Sequence, residues 1–479
     1  MKKFLPLMLI LLSAIFSNPV FGQSAHYWSE SFGTTSMLLN GTVIGSVHDL
    51  GAVYYNPARI SQMESSTFVI SGQVYDYTKT RIENGLGDGL DLEKSDFGNG
   101  PTLVAGTFKL GFLPGHQFAY SFLSRTDFNT DFTFATDVFG DYVNALPGDE
   151  YYSGELTATN QIRDEWIGLS WSYPFNERLS IGVSTFYSSF DRNALLKLQL
   201  QAYSPTQTIT GMYIEKRGYT FESHSLLAKI GLSWKTEKAT FGVTMTTPKI
   251  QGKGTGTSSY ETFLAGIDTT GDGNTNDVYI ISNQEDLETK HKSPFSFGLG
   301  AGFQIGKNSI LHLSSEWYSA IPYYTILKSE PFEGQSTGET LQLEVVETLG
   351  SVLNAGLGLE MYLNDNVSLF ASFATDFSAL DTDPKRLTEL GGVLNNTTFR
   401  ANIWHMGFGT DIKTKFADLT IGATYATANE TIDRNITIDD GQDPVTENAK
   451  IFYSRWRFII GFSFPFLDKA KDSLKGSEE

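Results

Sequence analysis

Residues 456–466 read Trp-Arg-Phe-Ile-Ile-Gly-Phe-Ser-Phe-Pro-Phe. Every even-numbered position holds a large apolar side chain, and the odd-numbered positions are mostly small or polar. Residues 295–305 show the same pattern, with Phe, Leu, Ala and Ile alternating with Ser, Gly and Gln. Because side chains in a strand point alternately to the two faces of a sheet, this period of two predicts strands with one apolar face.

The composition favours strands that cross a membrane. The chain has 479 residues and includes 35 Phe, 22 Tyr and 46 Gly, and the aromatic side chains recur on the apolar faces. Gly and Ser recur on the opposite faces, which suits a barrel lumen that is either wet or tightly plugged. After residue 22, no apolar run approaches the roughly 18 residues that indicate a membrane helix.

The connections between the predicted strands alternate between two lengths. Short turns are predicted at 113–116, 174–177, 236–238, 306–308, 364–366 and 414–416. Long loops are predicted near 81–101, 136–160, 204–218, 253–290, 329–350, 379–398 and 432–449. Short turns at one end and long loops at the other are typical of outer-membrane barrels, whereas a soluble sandwich has no reason to segregate them. We predict an all-β fold, a closed 14-stranded antiparallel transmembrane β-barrel.

The chain divides into four predicted regions. Residues 1–22 are predicted to be a signal peptide, because two lysines precede a short apolar stretch and small residues follow it. Residues 23–65 precede the first strand and are predicted to plug the lumen. The barrel is predicted over 66–466, and a periplasmic tail over 467–479. Both termini of the barrel then lie on the side of the short turns.

One motif lies within the predicted plug. Residues 49–58 read Asp-Leu-Gly-Ala-Val-Tyr-Tyr-Asn-Pro-Ala. This segment resembles the hatch of the FadL-type outer-membrane transporters, and Asn56, Pro57 and Ala58 are the residues that carry the resemblance. Arg59 stands where that family usually has Gly. The resemblance implies fourteen strands, an N-terminal hatch, and hydrophobic cargo such as long-chain fatty acids or aromatic hydrocarbons.

The function expected from this resemblance is passive uptake of hydrophobic small molecules across the outer membrane of a Gram-negative bacterium. The same features also resemble FadL-like barrels that serve as accessory components of type IX-like protein secretion, and a surface barrel for adhesion is a third alternative. Expected partners are hydrophobic cargo, outer-membrane lipid and the barrel assembly machinery, and we expect a monomer. The net charge of −19 argues against nucleic acid.

The sequence contains no motif that indicates an enzyme. The nucleotide-binding, hydrolase and metalloprotease motifs do not occur, the seven histidines lack metal-ligand spacing, and there is no cysteine. We therefore expect neither an enzyme nor a cofactor. Residues 268–279 partly match a calcium loop through Asp268, Asp272 and Asn276, but Tyr279 stands where a bidentate Glu belongs. A solvated acidic turn is the preferred interpretation.

Alternation also predicts which charged residues face the lumen. If the apolar residues face lipid, the following point inward: Lys109, Arg125, Lys229, His312, Glu316, Glu360, His405, Arg455 and Arg457. In a fatty-acid transporter, a lumenal arginine could hold a carboxylate headgroup. The alternative is that these residues pair with one another and with the plug, as buried charges must.

Overall fold

The structure is a computed structural model in which the described residues are 25–63, 68–87, 90–141, 146, 148–206, 208–268, 274–275, 277–380, 401–436 and 445–464. The predicted signal peptide and C-terminal tail lie outside these residues. The helices are α1 (Thr35–Leu38), α2 (Ala52–Tyr55) and the 3₁₀ helix η1 (Pro57–Gln62). In chain order the strands are β1 (Phe68–Gly87), β2 (Leu90–Phe108), β3 (Gln117–Gly140), β4 (Glu150–Pro174), β5 (Leu179–Ser204), β6 (Ile209–Lys235), β7 (Ala239–Thr246), β8 (Ile250–Ala265), β9 (Val278–Glu288), β10 (Ser296–Ile305), β11 (Ser309–Tyr318), β12 (Ile321–Lys328), β13 (Phe332–Glu333), β14 (Thr340–Leu341), β15 (Glu344–Leu349), β16 (Val352–Asn364), β17 (Val367–Asp376), β18 (Ile403–Lys413), β19 (Asp418–Ile436) and β20 (Val445–Phe464).

Fourteen of these strands close into a barrel. Their order is β1-β2-β3-β4-β5-β6-β7-β10-β11-β16-β17-β18-β19-β20, and β20 pairs with β1. All neighbouring pairs are antiparallel. Closure leaves no sheet edge open to hydrocarbon along the paired part of the wall. The predicted 14-stranded antiparallel barrel is confirmed.

The turns lie close to their predicted positions, whereas most of the predicted loops were wrong. Short turns occupy 109–116, 175–178, 236–238, 306–308, 365–366 and 414–417. At the other end, much of the chain predicted as loop continues as strand, and β3 to β6 each run for 24 to 27 residues. Such strands span roughly 80–90 Å, far beyond an apolar belt of about 25 Å. Beyond the belt, backbone pairing continues through segments whose polar and apolar residues alternate irregularly, while β5 keeps a buried apolar face at Leu198 and Leu200.

The outer surface of the barrel is apolar. Large side chains at predicted lipid-facing positions are exposed, including Leu357, Phe458 and Phe462. Their inward-facing neighbours on β20, Arg455 and Arg457, are buried. A continuous outward-facing apolar band identifies the surface that contacts lipid. Among the described residues, no helix is long and apolar enough to cross a membrane.

Residues 25–62, called the interior segment below, lie inside the barrel. Nearly all of these side chains are buried, and His48 is an exposed exception. At one end of the segment α1 packs against β17 to β20, and at the other η1 packs against β3 to β6. The segment therefore reaches across the lumen between opposite walls.

Candidate functional site

Asn56 holds the middle of the interior segment against the wall. Its Nδ2 donates to the carbonyl oxygens of Ile44, at 2.9 Å, and Leu232, at 3.1 Å. Its Oδ1 accepts a hydrogen bond from the backbone N–H of Ala58 at 3.1 Å, which closes an Asx-type turn. Pro57 begins η1, where its missing N–H leaves no donor unsatisfied. Asn56 thus joins two parts of the interior segment to β6.

Arg59, which replaces the glycine usual in the family, also stabilises this turn. Its Nε donates to the carbonyl oxygen of Val47 at 3.0 Å, and its guanidinium contacts the side chain of Gln62. Burial lowers the pKa of Arg59 to about 10, so the side chain stays charged at neutral pH. The departure from the family pattern therefore adds a contact within the interior segment.

Glycines on the inner face let the interior segment approach the backbone of the wall. A Cβ at Gly231 would lie 2.2 Å from Oδ1 of Asn56, and one at Gly182 would lie 2.4 Å from the carbonyl carbon of Pro57. Any larger residue at either position would displace the segment. Further glycines whose Cβ would lie within 3.0 Å of it are Gly242, Gly298, Gly300, Gly302, Gly356, Gly358, Gly407, Gly409, Gly422 and Gly461. The small residues of the inner face therefore line a filled interior.

Serine hydroxyls of the wall bind the backbone of the interior segment. Ser172 and Ser180 each donate to the carbonyl oxygen of Ala58 at 2.9 Å. Ser184 donates to the carbonyl oxygen of Val53 at 2.7 Å. These bonds satisfy backbone acceptors that would otherwise be buried without a partner. Gly and Ser thus serve the same docking surface, through close approach and through hydrogen bonds.

Asp376, at the end of β17, binds the start of the interior segment. Its Oδ1 accepts from the backbone N–H groups of Tyr27 and Trp28, at 2.9 Å each, and its Oδ2 accepts from the hydroxyl of Ser29 at 2.6 Å. His405, a predicted lumen residue, has its Nε2 3.8 Å from the same carboxylate. Sequence reasoning missed Asp376, because its only signal is a single acid that ends an otherwise uncharged strand.

Arg455 and Arg457 on β20 bind two buried carboxylates, Asp76 of β1 and Glu30 of the interior segment. Nε of Arg455 lies 3.0 and 2.8 Å from the two oxygens of Asp76 on β1, and its Nη1 lies 3.1 Å from Oε1 of Glu30. Arg457 also binds Glu30, and its Nε lies 3.4 Å from Asp76. All four side chains are buried, and their charges balance. Burial raises the pKa of the Glu30 carboxyl to about 7, while Arg455 opposes this shift.

Two further predicted lumen residues contact the interior segment, and one does not. Nη2 of Arg125 donates to the carbonyl oxygen of Tyr27 at 2.8 Å. Nδ1 of His312 lies 2.7 Å from the hydroxyl oxygen of Ser46. The prediction for Lys109 was wrong, because β2 ends one residue before it and Lys109 is exposed in the following turn. There the chain leaves the sheet instead of continuing the alternation.

Glu316 is the centre of a buried polar group. Its carboxylate accepts hydrogen bonds from the hydroxyls of Ser296, at 2.6 Å, and Tyr318, at 2.8 Å. The indole Nε1 of Trp28 lies 3.4 Å away, and Nζ of Lys229 lies 3.6 Å away. Glu316 therefore links β10 and β11 to the interior segment.

The calcium hypothesis stays a prediction. Asp268 follows β8, but Asp272 and Asn276 lie outside the described residues. Within the part of the chain that the structure describes, no group of three or more His, Asp or Glu side chains could hold a metal ion.

β2 and β3 separate above a short paired region. Pairing joins Leu103–Phe108 to Phe118–Leu123, although β2 begins at residue 90 and β3 continues to residue 140. A cavity of about 570 Å³, the gap cavity, is lined by 96–102 of β2 and 127–129 of β3. Its lining also includes Glu30, Gln73, Asp76 and Arg455. The gap cavity therefore connects the separated strands with the charged group around Glu30.

A smaller cavity of about 110 Å³, the aromatic cavity, lies beside the interior segment. Its aromatic lining residues are Tyr27, Tyr54, Trp166, Phe190 and Tyr318. Two of its lysines are paired, Lys249 with Asp164 at 2.7 Å and Lys229 with Glu316. Among the described residues, Arg125 forms no ion pair; its guanidinium lies 5.7 Å from the ring centroid of Tyr54. The two cavities are neighbours, since Ile162 lines both.

Together, the closed barrel and its apolar outer belt define an outer-membrane β-barrel, and the interior segment lies buried within it. The fold is similar to that of a Pseudomonas aeruginosa FadL homologue, with a TM-score of 0.55 at 11% identity over 92% of this chain and 100% of that one. The toluene transporter TodX of Pseudomonas putida matches with a TM-score of 0.52 at 12% identity, over 94% of this chain and 100% of that one. The toluene transporter TbuX of Ralstonia pickettii matches with a TM-score of 0.51 at 12% identity, over 91% and 98%.

At these identities the likeness establishes a shared fold. The predicted resemblance to the FadL-type barrel is confirmed at that level. A scan against protein-family models and a search of curated proteins found no match.

Proposed function

We propose that this chain is an outer-membrane channel for the passive uptake of hydrophobic small molecules. The observation that carries the proposal is the separation of β2 and β3 beside the gap cavity, in a barrel whose lumen is occupied by the interior segment. A straight path through the lumen is blocked, whereas a molecule in the gap cavity lies next to the unpaired part of the wall. In this proposal the interior segment is the hatch, and cargo leaves sideways between β2 and β3.

The similar structures support this class of cargo. TodX and TbuX are described as toluene transporters, and the Pseudomonas aeruginosa protein is described as a FadL homologue. Phe97 of β2, beside the separation, is exposed, which supports contact between the separated strands and lipid, where a hydrophobic molecule can partition without crossing water.

Within this class, the aromatic cavity favours long-chain acids over hydrocarbons. Arg125 is a buried guanidinium in a cavity lined by aromatic rings, and among the described residues it donates a hydrogen bond to a backbone carbonyl. A guanidinium binds a carboxylate through charge-assisted hydrogen bonds, which a hydrocarbon cannot accept. We infer that the carboxylate of the cargo binds Arg125 while its apolar chain lies against Tyr54 and Trp166.

The test is uptake of radiolabelled oleate and toluene by cells that do or do not produce the protein. Oleate uptake should depend on the protein and should fall about tenfold or more in Arg125→Met. The control Arg178→Met changes an exposed arginine in a turn and should leave uptake unchanged. Uptake of neither compound, together with an exported protein that co-purifies with the barrel, would instead favour the secretion role.

A further inference from the structure

The carboxylate of Glu30 is bound by side chains of the barrel wall, in the way that such side chains would bind the carboxylate of a ligand. We propose that Arg455 and Arg457 form a binding site for the carboxylate of cargo, which Glu30 of the interior segment fills in this structure and from which a cargo carboxylate displaces it. This inference rests on the proposed uptake function and adds the means by which cargo releases the hatch.

Within the described part of the chain, the Glu30 carboxylate is bound by side chains of the wall. Oε1 binds Arg455 at 3.1 Å and also binds Arg457, and Oε2 accepts a hydrogen bond from Nε2 of Gln73 at 3.2 Å. These three partners lie on β1 and β20, and among the described residues no side chain of the interior segment binds this carboxylate. The wall therefore presents a complete carboxylate site that does not require Glu30 itself.

The charge of the site selects an anion. With Glu30 in place, two guanidinium groups face two carboxylates, and without it they face Asp76 alone. The group then carries one uncompensated positive charge in a buried place, which is costly unless a new anion takes up the position. A carboxylate restores the balance and can accept hydrogen bonds from both arginines. A neutral molecule of the same shape does not restore the charge balance and has no carboxylate to accept these hydrogen bonds.

The gap cavity gives cargo access to this site. Glu30, Gln73, Asp76 and Arg455 all belong to its lining, and its opposite side is formed by the separated strands. A volume of about 570 Å³ is many times the roughly 30 Å³ of one water molecule. A carboxylate and the adjoining part of its chain can therefore occupy the gap cavity beside Glu30 before any exchange occurs.

Exchange at this site would weaken one of the anchors at the start of the interior segment. The first anchor is Asp376, which binds residues 27–29. The second is the arginine pair, since Nη1 of Arg457 donates to the carbonyl oxygen of Ser29 at 2.7 Å in addition to binding Glu30. Loss of Glu30 from the arginines removes both of its ion pairs, while Asp376, Arg125 and the bond from Arg457 to Ser29 still hold the segment. Arrival of cargo is thereby coupled to loosening of the hatch.

The experiment measures anion binding to the purified full-length protein at pH 8, by titration calorimetry. Benzoate is the probe, and benzyl alcohol is its neutral counterpart. Glu30→Gln removes the internal anion while keeping the side-chain shape, so benzoate should bind at least about tenfold more tightly than to the wild type. Benzyl alcohol should bind both proteins equally. Glu222→Gln is the control, because Glu222 lines the same cavity without binding Arg455.

Two further variants locate the binding. Adding Arg457→Gln to Glu30→Gln should abolish the gain in benzoate affinity, whereas Glu30→Asp, which keeps a carboxylate, should stay near the wild type. In planar bilayers, benzoate should raise the conductance of the wild type and benzyl alcohol should not. Equal benzoate affinity in the wild type and Glu30→Gln would overturn this inference even if oleate uptake holds. If cells producing the protein take up no oleate but Glu30→Gln still binds benzoate more tightly, the proposed uptake function is overturned and the anion site remains.

Discussion

Replacing Gly231 with alanine should loosen the hatch without disturbing the barrel. A Cβ at this position would lie 2.2 Å from Oδ1 of Asn56, whereas ordinary contact begins near 3.4 Å. Asn56 would therefore have to move by about 1 Å. Such a shift is enough to break the hydrogen bonds that its Nδ2 donates to Ile44 and Leu232, which are 2.9 and 3.1 Å long.

The expected size of the effect follows from these bonds. A hydrogen bond is worth about 1 kcal/mol net, and its loss costs about 1–3 kcal/mol when it leaves a buried carbonyl unpaired. Taking about 1–2 kcal/mol in total for each of the two bonds, the docked interior segment should lose roughly 2–4 kcal/mol relative to a released one. Because about 1.4 kcal/mol corresponds to a factor of ten in an equilibrium constant, the released fraction should rise by about 30-fold to several hundred-fold. The barrel strands keep their pairing, so assembly should be nearly unchanged.

Single-channel conductance in planar bilayers measures this release. Gly231→Ala should show frequent open events that the wild type lacks, while heat-modifiable migration on gels should show a folded barrel in both. Gly252→Ala is the matched control, since the nearest atom to its added Cβ is a carbonyl oxygen 3.7 Å away. Conductance of Gly231→Ala as low as that of Gly252→Ala would refute the docking role assigned to Asn56.

Three other predictions test the architecture. Deleting 23–65 should leave an assembled barrel that conducts ions continuously, because all fourteen strands remain; a deletion protein as tight as the wild type would show that another segment closes the lumen. Leu357→Arg, at mid-strand on the lipid face, should destabilise the barrel by about 2–4 kcal/mol and reduce the amount assembled, whereas Phe416→Arg in an exposed turn should have a small effect. Equal losses of assembled barrel in the two variants would contradict the assigned lipid-facing belt. A tag after Gly338 should be reached by antibody on intact cells and one after Asp365 should not, and reversed labelling would invert the orientation.

The sequence was sufficient for the barrel because the relevant signals are local. Alternation in segments such as 295–305 and 456–466 reports which face of each strand meets lipid, and short polar turns separate these segments. The same alternation placed Arg455 and Arg457 on the inner face, where the structure has them buried. It failed for Lys109, since the chain leaves the sheet there although the alternation continues by one residue.

The sequence also predicted too little strand at the outer end. Segments predicted as loop, such as 150–160 of β4 and 209–218 of β6, mix polar and apolar residues irregularly, and pairing between neighbouring backbones holds them as strands. The separation of β2 from β3 has no sequence signal either. It depends on which strand edges face each other after closure.

The amino-acid sequence by itself determined the class of fold, the number of strands and the inner or outer direction of most side chains, because each depends on neighbours two residues away. Only the tertiary structure decided which inward residues meet. Glu30 and Arg455 are 425 residues apart, and Asp376 binds backbone groups nearly 350 residues before it. These contacts exist because closure pairs β1 with β20 and encloses the interior segment within the ring of strands. A local sequence pattern carries no information about that arrangement.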